Sequence, residues 1–529
     1  MRVCLISREY PPDTGWGGIA TFAYHLAHGL TELGHDVEVV SLAKEKAHAR
    51  LHDGILVHRV TPHKVTGDLG AISMCMPYSR YVIRTTGALW KKFLELHQEK
   101  PFDVVDSPEL LAEGLVPAIT KCAPLVVRLY TPHSKFIAER LHSVKPSFDH
   151  EFVAALERVA MQLADVITSP SEDLADYVAR DLNYPLERIE IVRNPIDVNK
   201  FCPEGKTTLE PDGQLTVLFV GRLEERKGIH YLVKAVPEII AQFKNVRFVI
   251  IGDDTNNGRG QKSMLAQLKA DIKAADTGKY FTFIPRVPLE ELPAYYRSAD
   301  ICVVPSLYDN SPYTCLEAMS CGKPVVGTAA GGTAEYVVNG EAGIIVPAKD
   351  ATALAGAIVT LLKEEDLRKQ MGEAARKRAV AKFQRAEIAR QTVLLYEKAR
   401  EQFVQRQGDS LYLLDSAHFL PAADSLLYSM DKMLYDMLYH QSFFFRVRHW
   451  WRLGVTRPKL MLAKSALAAA RRVNALVSGS PQSAWLDKIA HEVELKQFPE
   501  VMVDPFEDLF KADYSAAVLV GTANSGAKG

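Results

Sequence analysis

Leu215-Thr-Val-Leu-Phe-Val-Gly-Arg-Leu-Glu-Glu-Arg-Lys-Gly-Ile229 is the stretch on which the fold turns. Leu215 to Val220 reads as a strand, and a helical pattern follows from Ile229 to Phe243 before a second strand at Arg247 to Ile251. Gly221 stands where the strand stops, and a glycine there lets backbone approach a phosphate. Arg222 and Lys227, five apart across the turn, point cations at a diphosphate, reinforced by the start of the helix. A solvated basic turn fits these residues equally well.

The same alternation extends in both directions. Ile301 to Pro305, Pro324 to Gly327 and Gly343 to Val346 supply further strands downstream. Upstream, a polar break at Pro203 to Gly213 reads as a linker. Before it come strands at Val3 to Ser7, Val37 to Leu42, Val104-Val105, Leu125 to Leu129 and Asp165 to Thr168. Ile19, Phe22, Ala23, Leu26, Ala27, Leu30 and Leu33 recur at helical spacing, with Gly34 placed to end that helix. The unbroken apolar run of Val37 to Leu42 fits a parallel strand buried on both faces. The fold class is therefore α/β, with two doubly wound, Rossmann-like domains. The boundaries fall at 1–202 and 203–382, followed by a crossing helix at 383–404 and a mostly helical extension at 405–529. Ligands in such folds sit outside the carboxyl ends of the strands.

At 529 residues the chain exceeds one core, which suits this division. Lys and Arg number 63 against 64 Asp and Glu, so no net field steers the protein to nucleic acid. Seven scattered cysteines form neither a disulfide framework nor paired metal clips, which points to a reducing, cytoplasmic setting. No run approaches the roughly 20 apolar residues that cross a bilayer. Between Met437 and Leu486 there are eight Lys and Arg and no acid, with Phe443 to Arg452 rich in aromatic residues. Two readings fit residues 437–472. One is a peripheral contact with anionic lipid at the inner face of the cytoplasmic membrane. The other is aromatic packing on the protein body with the basic groups solvated.

Pro305-Ser-Leu-Tyr-Asp309-Asn-Ser-Pro-Tyr-Thr-Cys-Leu-Glu317 places two carboxylates eight apart, Asp309 in a loop and Glu317 about one turn into a helix. Backbone amides of Ser311, Pro312-linked Tyr313 and Thr314 lie between them, next to Asn310. A sugar, a ribose and a diphosphate need such acceptors and donors close together. A capping or ion-pairing role for Glu317 is the plainer reading. Asp106 and Glu109, at the end of an upstream strand, lie where an acceptor would dock. First-turn acids of a helix fit them at least as well.

Taken in order, these pieces resemble glycosyltransferase family 4, a large retaining group with the GT-B fold, over residues 1–400. They are Gly17-Gly18, Gly34-His35-Asp-Val, Asn194-Pro-Ile-Asp197 with Phe201, Gly221-Arg-Leu with Lys227-Gly228, the Asp309 to Glu317 spacing, Gly331-Gly332 with Glu335, and Pro347 with Asp350. The resemblance implies that Arg222 and Lys227 bind the diphosphate of a nucleotide-sugar donor and that Glu317 holds its ribose. Asp309 takes the place of the family's first acid, normally Glu, beside the transferred sugar. Gly17-Gly18 matches the glycine loop that approaches the phosphates, with Gly221 and the 310–314 segment completing the donor side. Where the family commonly has His after a Val-Val-Arg-Leu strand, this chain has Tyr130, with His133 three residues later. His133 either reaches the cleft or is a solvated loop histidine.

The resemblance implies transfer with retention of configuration from a UDP- or GDP-sugar to a glycan, lipid-linked or small-molecule acceptor, as in surface polysaccharide or glycoconjugate synthesis. No cofactor is implied, and with no Asp-x-Asp pair no metal is expected. Two other classes stay open: a nucleotide-sugar epimerase on the same fold and a non-catalytic binder of nucleotide sugars.

Overall fold

A computed structural model describes residues 1–14, 17–62, 76–135, 147–209, 213–256, 258, 262–407, 447, 450–451, 458–478, 486 and 489. Eight strands build the first sheet: β1 (Arg2–Ile6), β2 (Asp36–Leu42), β3 (His48–His52), β4 (Ile55–Val60), β5 (Val104–Pro108), β6 (Leu125–Arg128), β7 (Val166–Ser169) and β8 (Ile189–Ile191). Their order is β3-β4-β2-β1-β5-β6-β7-β8, parallel throughout except for the β3–β4 hairpin. The second sheet holds β9 (Leu215–Val220), β10 (Val246–Ile251), β11 (Phe281–Ile284), β12 (Ile301–Val304), β13 (Val325–Thr328) and β14 (Gly343–Val346), ordered β11-β10-β9-β12-β13-β14 and all parallel. Strands buried on both faces explain the unbroken apolar runs, since helices cover each side.

Strand order reverses between β1 and β5 in the first sheet and between β9 and β12 in the second. Crevices open outside the carboxyl ends of strands at such points. The loops leaving β9 and β12 carry Arg222, Lys227 and Asp309. Those leaving β1 and β5 carry Gly17 and Glu109.

The helix Gly18–Glu32 ends as its sequence foretells. Gly34 takes φ +83°, its N–H donates to Thr31, and the N–H of His35 donates to Leu30. These paired bonds satisfy carbonyls left over at a helix end.

Packing into the second core begins a few residues ahead of the polar break at 203–213. Ile196, Val198 and Phe201 are buried in the second domain's core with Leu218, Tyr296 and Leu316, so the chain has already crossed before that break. It returns beside its outward path: Ile196 N–H donates to Phe383 O at 2.7 Å, and Arg385 N–H donates to Ile196 O at 3.1 Å. Asp197 pairs with Arg385 at 3.2 Å. The helix Arg385–Gln407 then buries Ile388, Ala389, Leu395, Tyr396 and Ala399 in the core of the first domain, against Val3, Leu5 and Leu26.

Among the described residues, 76–87 and those beyond 413 belong to a compact unit separate from the rest. Its described residues include the helix Pro458–Ser478, and Trp450, Met461, Ala463 and Ile489 pack together there. Most of residues 405–529, including Phe443 to Phe445, lie outside the described residues. Among the described residues no helix is long and apolar enough to cross a membrane.

Candidate active site

The turn after β9 is held against the end of β12 by close backbone contact. Gly228 has φ +66°, and a Cβ there would sit 1.7 Å from the carbonyl oxygen of Pro305, so no other residue fits. Leu307 N–H donates to Arg226 O at 2.7 Å across the same seam. The turn therefore delivers its cations onto the β12 loop. Lys227 Nζ lies 2.5 Å from Asp309 Oδ2, and Arg226 Nη1 lies 3.9 Å from the same oxygen. Burial alone pushes the Asp309 carboxyl up, but the Lys227 and Arg226 charges outweigh it and hold it below the usual range. Asp309 is thus a carboxylate already matched to a cation.

Two arginines share one buried acid. Glu224 Oε1 lies 2.9 Å from Arg226 Nη2 and 3.4 Å from Arg222 Nη2. The Arg222 side chain is 54% exposed, whereas Glu224 is sealed in at 1%. The buried carboxylate therefore fixes one end of a guanidinium whose remaining donors face solvent.

Glu317 sits in the helix Tyr313–Ser320, buried, and its Oε2 accepts from the Tyr296 hydroxyl at 2.7 Å. Burial raises its carboxyl to about 7, opposed by the Tyr296 bond and the charges of Lys200 and Lys227. That helix starts at Tyr313, so the amides of Tyr313 and Thr314 have no acceptor within it. Pro312 precedes them as an extended N-cap without a side-chain bond. The helix Gly18–Glu32 is similar: Gly17 is its extended N-cap, again without a side-chain bond, and Gly18 is exposed. In the second domain a helix start with open amides, two arginines, a lysine and two carboxylates make a set suited to a polyhydroxylated anion.

Residues 204–378 match the family model described as Glycosyl transferases group 1, and residues 16–200 match Glycosyltransferase Family 4. An uncharacterised glycosyltransferase of Methanocaldococcus jannaschii is 25% identical over 424 residues, which are 76% of this chain and 99% of that protein. Glycogen synthase of Mycobacterium tuberculosis is 27% identical over 419 residues, 76% of this chain and 95% of that one. Among solved structures, sucrose-phosphate synthase from Thermosynechococcus elongatus has a TM-score of 0.62 at 22% identity, covering 75% of this chain and 98% of its own. The chain is a glycosyltransferase of the GT-B fold. Another structure with this fold is Anabaena HepE in complex with UDP-glucose, at a TM-score of 0.55 and 16% identity, with 75% and 99% covered.

Not every expected site residue of this glycosyltransferase stands free to meet a ligand. Asp106 is buried in β5, where it takes Arg128 Nη2 at 2.7 Å and the Tyr396 hydroxyl at 2.9 Å. Neither acceptor docking nor a helix first turn describes it: it ties β5 to β6 and to the returning helix. Glu109 is fully buried, and both its oxygens accept the N–H of Tyr130 at 2.8 Å. Burial lifts its carboxyl to about 8. His133 is buried rather than solvated: its N–H donates to Glu157 at 2.6 Å and its ring stacks on His150 at 5.2 Å. Burial and the His150 ring hold the imidazole down near 4. Tyr130 packs edge-on against Phe22, with centroids 5.8 Å apart. It reaches the Asp309 loop through its carbonyl oxygen, which accepts from Asn310 Nδ2. Asn310 and Ser311 are engaged across the domains, the latter through its carbonyl to Asn194 Nδ2 at 3.2 Å.

Sequence spacing missed Glu224, Arg226, Tyr296 and Tyr308. Arg226 and Glu224 lay inside the decisive stretch, so the charge alternation there was the available signal. Tyr296 had none, being a residue of a separate helix that meets Glu317 only in three dimensions.

Proposed function

We propose that this GT-B glycosyltransferase moves a sugar from a nucleoside diphosphate sugar to an acceptor hydroxyl with retention of configuration, in the manner of glycosyltransferase family 4. The observation that carries the reading is the Lys227–Asp309 contact beside Arg222, at the carboxyl ends of β9 and β12. As the bond from the sugar's anomeric carbon to the diphosphate breaks, negative charge builds on the departing phosphate oxygen. Cations and helix amides aimed at that oxygen lower the barrier. Arg222, Lys227 and the amides of Tyr313 and Thr314 serve this role. A diphosphate competes for the Lys227 ammonium, and Asp309 then turns an acceptor oxygen to the sugar hydroxyls. Glu317, fixed by Tyr296, accepts from the ribose. The new bond forms on the same face, and the acceptor proton passes to the leaving phosphate, so no general base is required of the protein.

The donor set supports UDP- and GDP-sugars as the first to test. The basic, aromatic stretch 437–472, in which Val447 and Trp451 are exposed, supports a lipid-linked acceptor presented at a membrane. Liposome flotation with and without residues 405–529 tests that part, and equal behaviour of the two retires it.

The decisive assay follows nucleoside diphosphate release with and without acceptor, in the presence and absence of EDTA, with product linkage read by proton NMR. Acceptor-dependent release that survives EDTA and yields a retained linkage is expected. An inverted linkage removes the retention of configuration. Conversion of the donor without acceptor identifies an epimerase, and no release at all a binder.

A further inference from the structure

The two residues flanking Asp309 leave the second domain altogether. The Tyr308 hydroxyl lies 2.9 Å from Asp173 Oδ2, on the first turn of the helix Glu172–Leu182, and within reach of Asn310 Oδ1. Asn310 Nδ2 donates to the carbonyl of Tyr130 and, at 2.7 Å, to Thr131 Oγ1. The Thr131 hydroxyl itself donates to Tyr130 O at 2.6 Å, which leaves its lone pairs to receive Asn310. From the same side Lys135 joins in. Its ammonium lies 3.3 Å from Asp173, 4.2 Å from the centroid of the Tyr308 ring and 4.4 Å from that of Tyr177. Lys135 is buried, so this cation meets the two aromatic faces with little competing water.

Both sides of this contact are rigid. Gly332 N–H donates to Asp309 O at 2.9 Å, and a Cβ on Gly332 would come 1.9 Å from Asn310 O. The backbone carrying Tyr308, Asp309 and Asn310 is thereby clamped to the second domain and cannot follow the first. Tyr130 is clamped in turn by the buried carboxylate of Glu109. If the domains part, the side chains of Tyr308 and Asn310 are what must let go.

We propose that Tyr308 and Asn310 are positioning residues that set the closed register of the two domains. They seat Tyr130 and Thr131 beside Asp309, so that an acceptor held on the first domain faces a sugar held on the second. This inference rests on the assignment of Asp309 to the donor sugar. Both residues act through the domains they join, since the diphosphate and ribose contacts assigned to Arg222, Lys227 and Glu317 do not involve them.

The test is Asn310→Ala in the full chain, with Tyr308→Phe and Thr131→Ala beside it. UDP and GDP are the binding probes, and small-angle scattering reads compactness with and without nucleotide. Asn310→Ala is expected to lower kcat more than tenfold while nucleotide Kd stays within twofold, and to enlarge the radius of gyration of the nucleotide-bound form. Tyr308→Phe, which keeps the ring over Lys135, moves both readouts the same way but less. Combined with Asn310→Ala, Thr131→Ala adds little, because the two share one bond. Wild-type kcat in Asn310→Ala overturns the proposal, as does a fall in nucleotide affinity matching the fall in kcat with compactness unchanged. If the wild-type enzyme transfers no sugar, the functional assignment fails by itself. An unchanged scattering profile in Asn310→Ala would then still refute the register.

Discussion

Replacing Tyr296 by Phe removes one hydroxyl from a fully buried site and little else. Glu317 loses the bond it accepts at 2.7 Å, and that bond favours the charged carboxylate. A hydrogen bond to a charged group is worth about 1.5–3 kcal/mol, which is roughly one to two pKa units. Glu317 already sits at about 7, so in Tyr296→Phe its midpoint moves to about 8–9 by that reckoning. At neutral pH the charged fraction falls from about one half to between roughly one in ten and one in a hundred. If ribose binding needs the carboxylate, nucleotide affinity at pH 7 weakens about five- to fifty-fold and recovers as pH rises past the new midpoint. Calorimetric titration of UDP and GDP between pH 6 and pH 9 checks it, with a thermal melt to show that the variant is folded. In the wild type, affinity should fall as pH drops through 7. Equal pH profiles for the two proteins would refute the coupling of Tyr296 to Glu317.

Lys227→Met strands a buried carboxylate whose remaining cation, Arg226, is 3.9 Å away. A loss of about 2–3 kcal/mol in stability is expected, below the usual cost of breaking a buried pair. Turnover should fall at least about a hundredfold, as when one oxyanion donor is removed; chemical denaturation and steady-state kinetics measure the two. Glu335 lies in the second domain, but its carboxylate accepts from the first-turn amides of Glu172 and Asp173, at 2.8 and 3.1 Å, and pairs with Arg193. Glu335→Ala should weaken domain docking by about 2 kcal/mol and expose those amides to hydrogen exchange, so unchanged protection there would contradict it. Glu109, Glu113 and Glu317 are raised by burial from an ordinary 4.5 to about 8, 7 and 7. The native state then holds more protons than the unfolded chain, and stability is lost as pH rises through these values. His133 and His25 are lowered from 6.5 to about 4 and about 3, so their contribution is lost as pH falls below 6.5. Between about pH 4.5 and 6.5 the three acids outweigh the two histidines, so by this linkage the thermal midpoint should peak near about pH 4.5 and decline on both sides.

The strand series was legible because parallel strands buried on both faces must be apolar throughout, as Val37 to Leu42 and Leu215 to Val220 are. Neither β8 and β11 nor the β3–β4 hairpin was. Its outer strand, His48-Ala-Arg-Leu-His52, lies at the sheet edge with Ala49, Arg50 and Leu51 exposed, so it shows no burial pattern. The polar loop at 203–213 follows the crossing of the chain into the second core by a few residues. What decides the crossing is that Val198 and Phe201, just before that loop, are buried in the second core.

Within the site, the eight-residue spacing of Asp309 and Glu317 marked two acids worth pursuing, because spacing within one local segment survives folding. Partners from distant segments do not announce themselves. Glu109, Glu113 and Glu157 look like surface acids, yet each is buried with a backbone N–H as its partner: Tyr130, Arg8, and Leu111 with His133. A carboxylate bonded to amides leaves no sequence signature, since every residue but proline offers the same donor.

The side-by-side crossing at Ile196 and Gln384 also bears on how the molecule is made. Val198 to Phe383 supplies a whole second core in one uninterrupted length of chain, ready as soon as that length leaves the ribosome. The first core must wait, because Ile388, Leu395 and Tyr396 emerge only after the second is finished. Order of synthesis and order of completion are therefore reversed. During translation the half that begins the polypeptide is the last to lose its exposed apolar surface.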